Sequence, residues 1–140
     1  AKDRRAFARL LWRLWSPTWA FDDATFERSA AAFDNPDFVE VVIHSYRHRF
    51  GLVAGDPACA DIEHRLAAQP VIRAPAITFD GADDGVRPPA AASAHAHCFG
   101  GPRSHRLVPG VGHNMPQEVP RIFADAVLEL VPLLQTDSSS

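Results

Sequence analysis

Residues 76–84 have the sequence AITFDGADD, and residues 105–113 have the sequence HRLVPGVGH. Each stretch begins with a short segment predicted to be a strand and continues into a glycine-containing turn. The first stretch ends in an aspartate, Asp84, and the second ends in a histidine, His113. Because functional groups gather at the carboxyl ends of the strands in α/β sheets, we expect these two side chains to lie close together.

An aspartate beside a histidine is the arrangement that a general base requires. The carboxylate orients the imidazole through one ring nitrogen and leaves the other nitrogen free to take a proton. Asp83 competes for the role of the acid, but the spacing Gly-x-x-Asp from Gly81 favours Asp84. The sequence therefore predicts a catalytic pair of Asp84 and His113.

The segment around these two stretches, residues 71–135, has the pattern β-α-β-α and predicts one parallel strand pair, an α/β fold. A helix is expected within residues 86–99, after Pro88-Pro89. A second helix begins at Pro120 with one apolar face. That face consists of Ile122, Phe123, Ala126, Val127, Leu130 and Leu134. Since a parallel pair normally has further strands beside it, we expect the sheet to be incomplete in these 140 residues.

The preceding segment, residues 1–70, carries signals for four helices. The first is amphipathic and stops at Ser16-Pro17. The second is capped by Asp22 or Asp23 and runs to about Phe33. The other two start at Asn35-Pro36 and at Asp56-Pro57, and they end at Phe50 and at Pro70.

Composition limits the partners of the chain. The net charge is −3 and no long basic run occurs, so we expect no nucleic-acid partner and no binding to an anionic membrane. No apolar stretch approaches the roughly 20 residues of a spanning helix. The short length predicts one domain.

The cysteines and histidines do not have the spacing of a metal site. Cys59 and Cys98 are too few for a disulfide framework, although one bridge between them is possible. Free thiols in a reducing cytoplasm are the favoured interpretation. His95, His97, Cys98 and His105 lack a shared helix face and a carboxylate partner, so we expect no metal and no cofactor.

The sequences FDGADDGV (79–86) and LVPGVGHNMPQE (107–118) resemble the acid loop and the histidine loop of α/β-hydrolases. The helical segment resembles the cap of the epoxide hydrolase and haloalkane dehalogenase branch, and the likeness extends over about residues 5–134. It implies an incomplete α/β-hydrolase fold. Residues 1–70 would form a helical cap, residues 71–135 the C-terminal part of the core, and residues 136–140 a disordered tail.

In that family the nucleophile lies on a strand-to-helix elbow before the cap, so the resemblance places it before Ala1. The pattern Gly-x-Ser-x-Gly does not occur in the chain. Ser29, Ser45, Ser93 and Ser104 fall on predicted helices or strand edges. We therefore expect an epoxide hydrolase-like parent protein and an inactive isolated chain.

Tyr46 is a further candidate, by resemblance. In epoxide hydrolases a cap tyrosine, often followed by arginine as in Tyr46-Arg47, donates a hydrogen bond to the epoxide oxygen as the ring opens. A packing tyrosine is the alternative. His44 and His48 share its helix and lack a third ligand, so they are expected to flank Tyr46 or to face solvent.

Two further questions stay open at the level of sequence. Trp12, Trp15 and Trp19 form either part of the helical core or the wall of a pocket for a small apolar substrate. The alternative functions are those of a haloalkane dehalogenase or a serine esterase of the same fold. A third alternative is a non-catalytic chain that acts only by association, through an exposed strand edge.

Overall fold

The two predicted strands form one parallel pair, β1 (Ala76–Gly81) and β2 (Arg103–Val108). The computed structural model describes residues 3–91 and 93–136. In the register of the pair, Ala76 lies opposite Arg103 and Gly81 lies opposite Val108. The carboxyl ends of the two strands therefore coincide, and the loops that follow them start from the same edge. The described residues thus have α/β character with a sheet of two strands.

A small apolar core lies beneath these loops. Val108, Val111 and Met115 are each less than a tenth exposed, and Phe79 and Val119 pack against them. The Phe79 ring also lies 6.4 Å from the ring of Phe123. This core anchors the histidine loop at both ends, because Val111 and Met115 flank it.

Six α-helices occur within the described residues. They are α1 (Arg4–Trp15), α2 (Asp23–Ala30), α3 (Phe38–Arg49), α4 (Ala60–Ala67), α5 (Met115–Glu118) and α6 (Pro120–Thr136). Short 3-10 helices cover Ala31–Asp34, Pro57–Cys59 and Ala96–Cys98.

The predicted cap signals recur at several helix ends. Asp22 accepts from the Thr25 backbone N–H at the start of α2. Asp56 accepts from Ala58 N–H before α4, and Gly51, with φ +68°, follows α3. The third helix begins later than predicted, because Asn35 accepts from Asp37 N–H and holds a turn there.

The helix predicted within residues 86–99 is wrong. Among residues 86–91 and 93–99, the helical stretch is Ala96–Cys98, a single 3-10 turn. One physical reason for the missing helix is a hydrogen bond of 2.9 Å from the Ala90 backbone N–H to Asp80 Oδ2. Asp84 likewise accepts from the N–H groups of Val86 and Arg87, which keeps this segment looped around the acid.

The chain divides into two compact units. The first contains residues 1–8 and 21–70, and the second contains residues 9–20 and 71–140. The predicted division into a cap and a core is a functional one and stays a prediction. The tail predicted at residues 136–140 lies, after Thr136, outside the described residues.

The first unit is centred on Phe26 and Ala30 of α2, which are 1% and 0% exposed. The Phe26 ring lies 6.3 Å from that of Phe21 and 6.2 Å from that of Phe33. Phe33 continues the row to Phe38, at 5.0 Å. This row of rings is the apolar centre of the unit.

None of the helices in residues 3–91 and 93–136 combines the length and the apolar character that crossing a membrane requires.

Candidate active site

The loops after β1 and β2 bring the predicted pair together. His113 Nδ1 lies 2.9 Å from Asp84 Oδ2. The Asp84 side chain is 15% exposed and the imidazole is 39% exposed. It is Asp84, and not Asp83, that meets the histidine, as the Gly-x-x-Asp spacing predicts.

Asp84 is held in its charged form. Burial favours the neutral acid, but the hydrogen bond from His113 outweighs it together with those from the backbone N–H groups of Val86 and Arg87. These two N–H groups lie 2.8 and 3.0 Å from Oδ1. The pKa of Asp84 is therefore lowered below its usual value of 3.8.

The charge on Asp84 decides the tautomer of His113. An ionised carboxylate can only accept hydrogen bonds, so Nδ1 of His113 must carry the proton that lies between them. In a neutral imidazole, Nε2 is then the unprotonated nitrogen. The pair thus presents a base at Nε2, with a carboxylate that stabilises the imidazolium formed when Nε2 takes a proton.

Close backbone contacts fix the two loops to each other. Ala82 N–H donates to Val108 C=O, and Asp83 N–H donates to Val111 C=O, both at 2.9 Å. A Cβ atom at Gly81 would overlap the carbonyl oxygens of Val111 and Gly112. Glycine is required there because the two backbones approach too closely for a side chain.

The end of α1 joins both loops, a feature that the sequence analysis missed. The Trp15 carbonyl accepts from Gly85 N–H at 3.0 Å and from His113 N–H at 3.1 Å. One backbone group thereby links the acid loop to the histidine loop. No sequence signal marks it, because any residue carries a carbonyl.

Ser16 follows Trp15 and is 1% exposed. Its hydroxyl accepts from the His113 backbone N–H at 3.1 Å and from Asn114 Nδ2 at 3.1 Å. It donates to Glu118 Oε1 at 2.7 Å. Ser16 was predicted only as the end of a helix, so its role in this network is a finding of the structure.

Glu118, on α5, closes the same loop from the other side. Oε2 accepts from Gly112 N–H and Oε1 accepts from Asn114 N–H, both at 2.8 Å. The carboxylate and the Ser16 hydroxyl together satisfy the successive N–H groups of residues 112–114. A buried backbone donor without a partner would be costly, so these acceptors select one conformation of the loop.

The three tryptophans differ in position. Trp12 and Trp19 stack on each other with centroids 5.1 Å apart, and Trp12 is 9% exposed. Trp15 presents its ring to the imidazole of His113, at 5.6 Å and with an interplanar angle of 73°. The Trp15 ring therefore contacts the candidate catalytic pair.

A cleft of about 340 Å³ lies against the pair. Ile77, Phe79, Met115 and Phe123 line its apolar part, and Asp84 and His113 line its polar part together with Asp80, Gly81 and Gly112. The cleft thus places polar and apolar groups side by side at His113.

Tyr46 lies in the first unit, on α3. It is 49% exposed, and its ring stacks on Phe50 with centroids 6.5 Å apart. On the same helix the rings of His44 and His48 stack at 6.4 Å. The catalytic role of Tyr46 stays a prediction.

The letters of Gly81–Gly85 also spell Gly-x-Asp-x-Gly, with Asp83 at the centre. A nucleophile elbow requires a helix immediately after the turn. Residues 86–91 form no helix. Asp83 therefore does not lie on such an elbow.

Outside the pair, Cys98 and two histidines contact neighbouring polar side chains. Cys98 Sγ lies 3.4 Å from His97 Nε2, and His105 Nδ1 lies 3.1 Å from Thr78 Oγ1. Cys59 and Cys98 are free thiols. Within the described part of the chain, no three histidine, cysteine or acidic side chains lie where they could hold a metal ion.

Comparison with solved structures gives a relative. The chain is similar to the crystal structure of a "putative epoxide hydrolase" from Klebsiella pneumoniae subsp. pneumoniae, with 46% sequence identity and a TM-score of 0.85. The similarity covers 92% of this chain and 43% of that one, so the chain spans less than half the length of the relative. No protein-family profile and no curated protein matches the chain.

Proposed function

We propose that the chain is part of an α/β-hydrolase of the epoxide hydrolase type and contributes its acid and its histidine. The observation that carries the proposal is the 2.9 Å hydrogen bond between His113 Nδ1 and Asp84 Oδ2 at coincident strand ends. The relative described as an epoxide hydrolase supports the choice of reaction within this class of enzymes.

The proposed reaction has two steps. A carboxylate nucleophile attacks an epoxide carbon, the ring C–O bond breaks, and an ester to the enzyme forms while the released oxygen takes a proton. His113 Nε2 then removes a proton from water, and the hydroxide adds to the ester carbonyl to release a diol. Asp84 stabilises the imidazolium, which returns its proton afterwards. No cofactor or metal takes part.

The nucleophile is proposed to lie outside these 140 residues. Two observations support this. The sequence has no Gly-x-Ser-x-Gly, and Gly81–Gly85 is followed by a loop where an elbow has a helix. The isolated chain is accordingly proposed to be inactive.

The proposed substrate is a small, largely apolar epoxide. Aromatic and aliphatic side chains form the apolar part of the cleft beside His113. Tyr46 is proposed, from the family resemblance, to donate a hydrogen bond to the epoxide oxygen. We propose a cytoplasmic location because the two cysteines are free thiols.

The test compares two proteins, the 140-residue chain and the product of the same coding sequence extended upstream in frame. Intact mass identifies each protein. Each is incubated with styrene oxide in ¹⁸O-labelled water. We expect the extended protein to form the diol and the shorter chain to form none.

Three variants of the extended protein test the residues. His113→Gln should lower turnover about 10²- to 10⁴-fold through loss of the base. Tyr46→Phe should slow formation of the ester more than its hydrolysis. The matched control His97→Gln changes a histidine outside the site and should leave turnover unchanged.

Other outcomes support the alternatives. Halide release from a chloroalkane would indicate a dehalogenase, and hydrolysis of a p-nitrophenyl ester alone would indicate a serine esterase. Turnover by the 140-residue chain itself, lost in His113→Gln, would show that the nucleophile lies within it and would contradict the proposal of an inactive chain.

A further inference from the structure

We propose that Ser16 and Glu118 are positioning residues for His113, and that they act by fixing the backbone of residues 112–114. This inference rests on the proposed role of His113 as a base. It adds two residues, one directly after α1 and one on α5, to the machinery of that site.

The exposure of His113 makes such support necessary. Its side chain is 39% exposed, so close packing does not enclose the imidazole. The ring contacts Asp84 through Nδ1 and Trp15 at an edge-to-face angle. The hydrogen bond to Asp84 can therefore persist only if the loop that carries His113 keeps one conformation.

The backbone of this loop is fixed by an unusual concentration of acceptors. Ser16 Oγ accepts from the His113 N–H, and the two oxygens of Glu118 accept from the N–H groups of Gly112 and Asn114. The bond from Ser16 to Glu118, at 2.7 Å, joins the acceptors into one network. The N–H groups of three consecutive residues, 112–114, are thereby held by one network.

Burial makes the network sensitive to change. Ser16 is a polar residue that is almost fully buried, at 1% exposure. A Cβ atom at Gly112 would overlap Ser16, so the loop rests directly on this serine. Removing the Glu118 carboxylate takes the acceptor from the Gly112 N–H. Removing the Ser16 hydroxyl takes one of two acceptors from the His113 N–H, which keeps the Trp15 carbonyl.

The two residues of the network come from distant parts of the sequence. Ser16 lies 97 residues before His113, at the end of the first helix, whereas Glu118 is on the helix that directly follows the loop. Trp15, the residue before Ser16, accepts a hydrogen bond from the Gly85 N–H of the acid loop through its carbonyl. The end of α1 thus sets both members of the pair.

The experiment uses the isotope-labelled 140-residue chain and needs no catalytic activity. Nuclear magnetic resonance follows three signals, namely the His113 Nδ1 proton, the titration of the Asp84 carboxyl carbon, and amide exchange at Gly112 and Asn114. The variants are Ser16→Ala, Glu118→Ala and Glu118→Gln. Ser104→Ala and Asp125→Asn, at exposed positions of the second unit, are the matched controls.

In Ser16→Ala and Glu118→Ala we expect loss of the His113 Nδ1 proton signal and a rise in the pKa of Asp84 towards its usual value. Amide exchange at Gly112 and Asn114 should accelerate about 5- to 30-fold relative to the amides of β1 and β2, the factor expected from one or two lost hydrogen bonds. The two controls should match the unmodified chain.

Glu118→Gln keeps the proposal testable if the alanine variants do not fold. Its amide oxygen can still accept from Ser16 and Asn114, but its NH₂ group cannot accept from Gly112. We expect faster exchange at Gly112 with smaller changes at His113 and Asp84.

Two outcomes would overturn the proposal. Folded variants with an unchanged His113 signal and an unchanged Asp84 titration would show that the pair does not depend on this network. Equal acceleration of all amides would indicate a purely structural role. Failure of the proposed function would appear separately, as absence of epoxide turnover by the extended protein.

Discussion

At the scale of single residues, Asp84 makes stability depend on pH. Its pKa is lowered in the folded chain, so the unfolded chain takes up the proton first as the pH falls. The stabilising contribution is therefore complete above the usual value of 3.8 and is lost as the pH falls through the lower, folded pKa.

Asp84→Asn should remove this dependence. The variant is expected to be less stable than the unmodified chain near neutral pH, and the difference should shrink as the pH falls below about 3.8. Urea unfolding between about pH 6 and about pH 2 measures it. Asp125→Asn, at an exposed position on α6, is the control. A difference that is constant over this range would contradict the proposed charge state.

The glycines of the histidine loop should differ in their tolerance of substitution. Gly112→Ala places a methyl group into Ser16 and should cost about 1–3 kcal/mol, as overpacking does. Gly110 has φ +72° and open space around it, so Gly110→Asn should be nearly neutral, because asparagine adopts this conformation. Denaturant unfolding of both variants tests the contrast, and an equal effect would show that contact with Ser16 is unimportant.

The two kinds of site residue differ in what the sequence reveals. Asp84 and His113 each follow a recognisable strand and a glycine-containing turn, so a local pattern predicts both. Ser16 accepts from a residue 97 positions away, and nothing beside it in the sequence distinguishes it from an ordinary helix end. Glu118 belongs to the quoted histidine loop, but its function depends on the backbone N–H groups that the fold turns towards it.

At the scale of helices and strands, predictions succeeded where local chemistry is decisive. Apolar runs predict the strand pair, and a capping carboxylate, Asp22, predicts the start of α2. Gly51 predicts the end of α3, where it adopts a positive φ. The helix predicted within residues 86–99 was wrong. The Asp84 side chain binds the backbone of Val86 and Arg87, two and three residues on, and the Asp80 side chain binds that of Ala90. These side-chain bonds compete with helix formation.

Phe26 is the side chain on which we expect the stability of the first unit to depend most. Phe26 is 1% exposed and contacts two further phenylalanine rings. Phe26→Ala should lower the free energy of unfolding of this unit by about 3–5 kcal/mol, because it leaves a cavity between the rings of Phe21 and Phe33.

The matched control is Phe50→Ala, since Phe50 is 69% exposed. Its effect should stay within about 0.5 kcal/mol. Thermal unfolding followed by the circular dichroism of the helices measures both variants. A similar loss in the two variants would contradict the assignment of Phe26 to the core.

At the scale of the whole molecule, the β-α-β-α pattern predicts an incomplete sheet, and the described residues contain one pair of strands. The relative is more than twice as long as the part that this chain matches. Local patterns predict the two strands, but they carry no information about strands from other sequence. Residues 9–20 group with the second unit, which follows from long-range bonds such as that of Ser16 to Glu118.

The free edge of β1 leads to a prediction about association. Ala76 and Ala82 donate to Pro102 and Val108, so the even-numbered residues of β1 direct their backbone groups towards β2. Ile77 and Phe79 then direct theirs to the opposite edge, where the described residues supply no strand. Since such an edge pairs readily with another chain, we expect the isolated chain to dimerise through it.

Sedimentation equilibrium over a range of concentrations tests this association. Ile77→Pro should weaken the dimer, because proline removes an N–H from the free edge and leaves the bonds between β1 and β2 in place. Thr78→Pro removes an N–H directed at β2 and should unfold the pair instead. A mass near 15.3 kDa at every concentration would show that the edge does not pair, and an unchanged dimer in Ile77→Pro would assign the association to another surface.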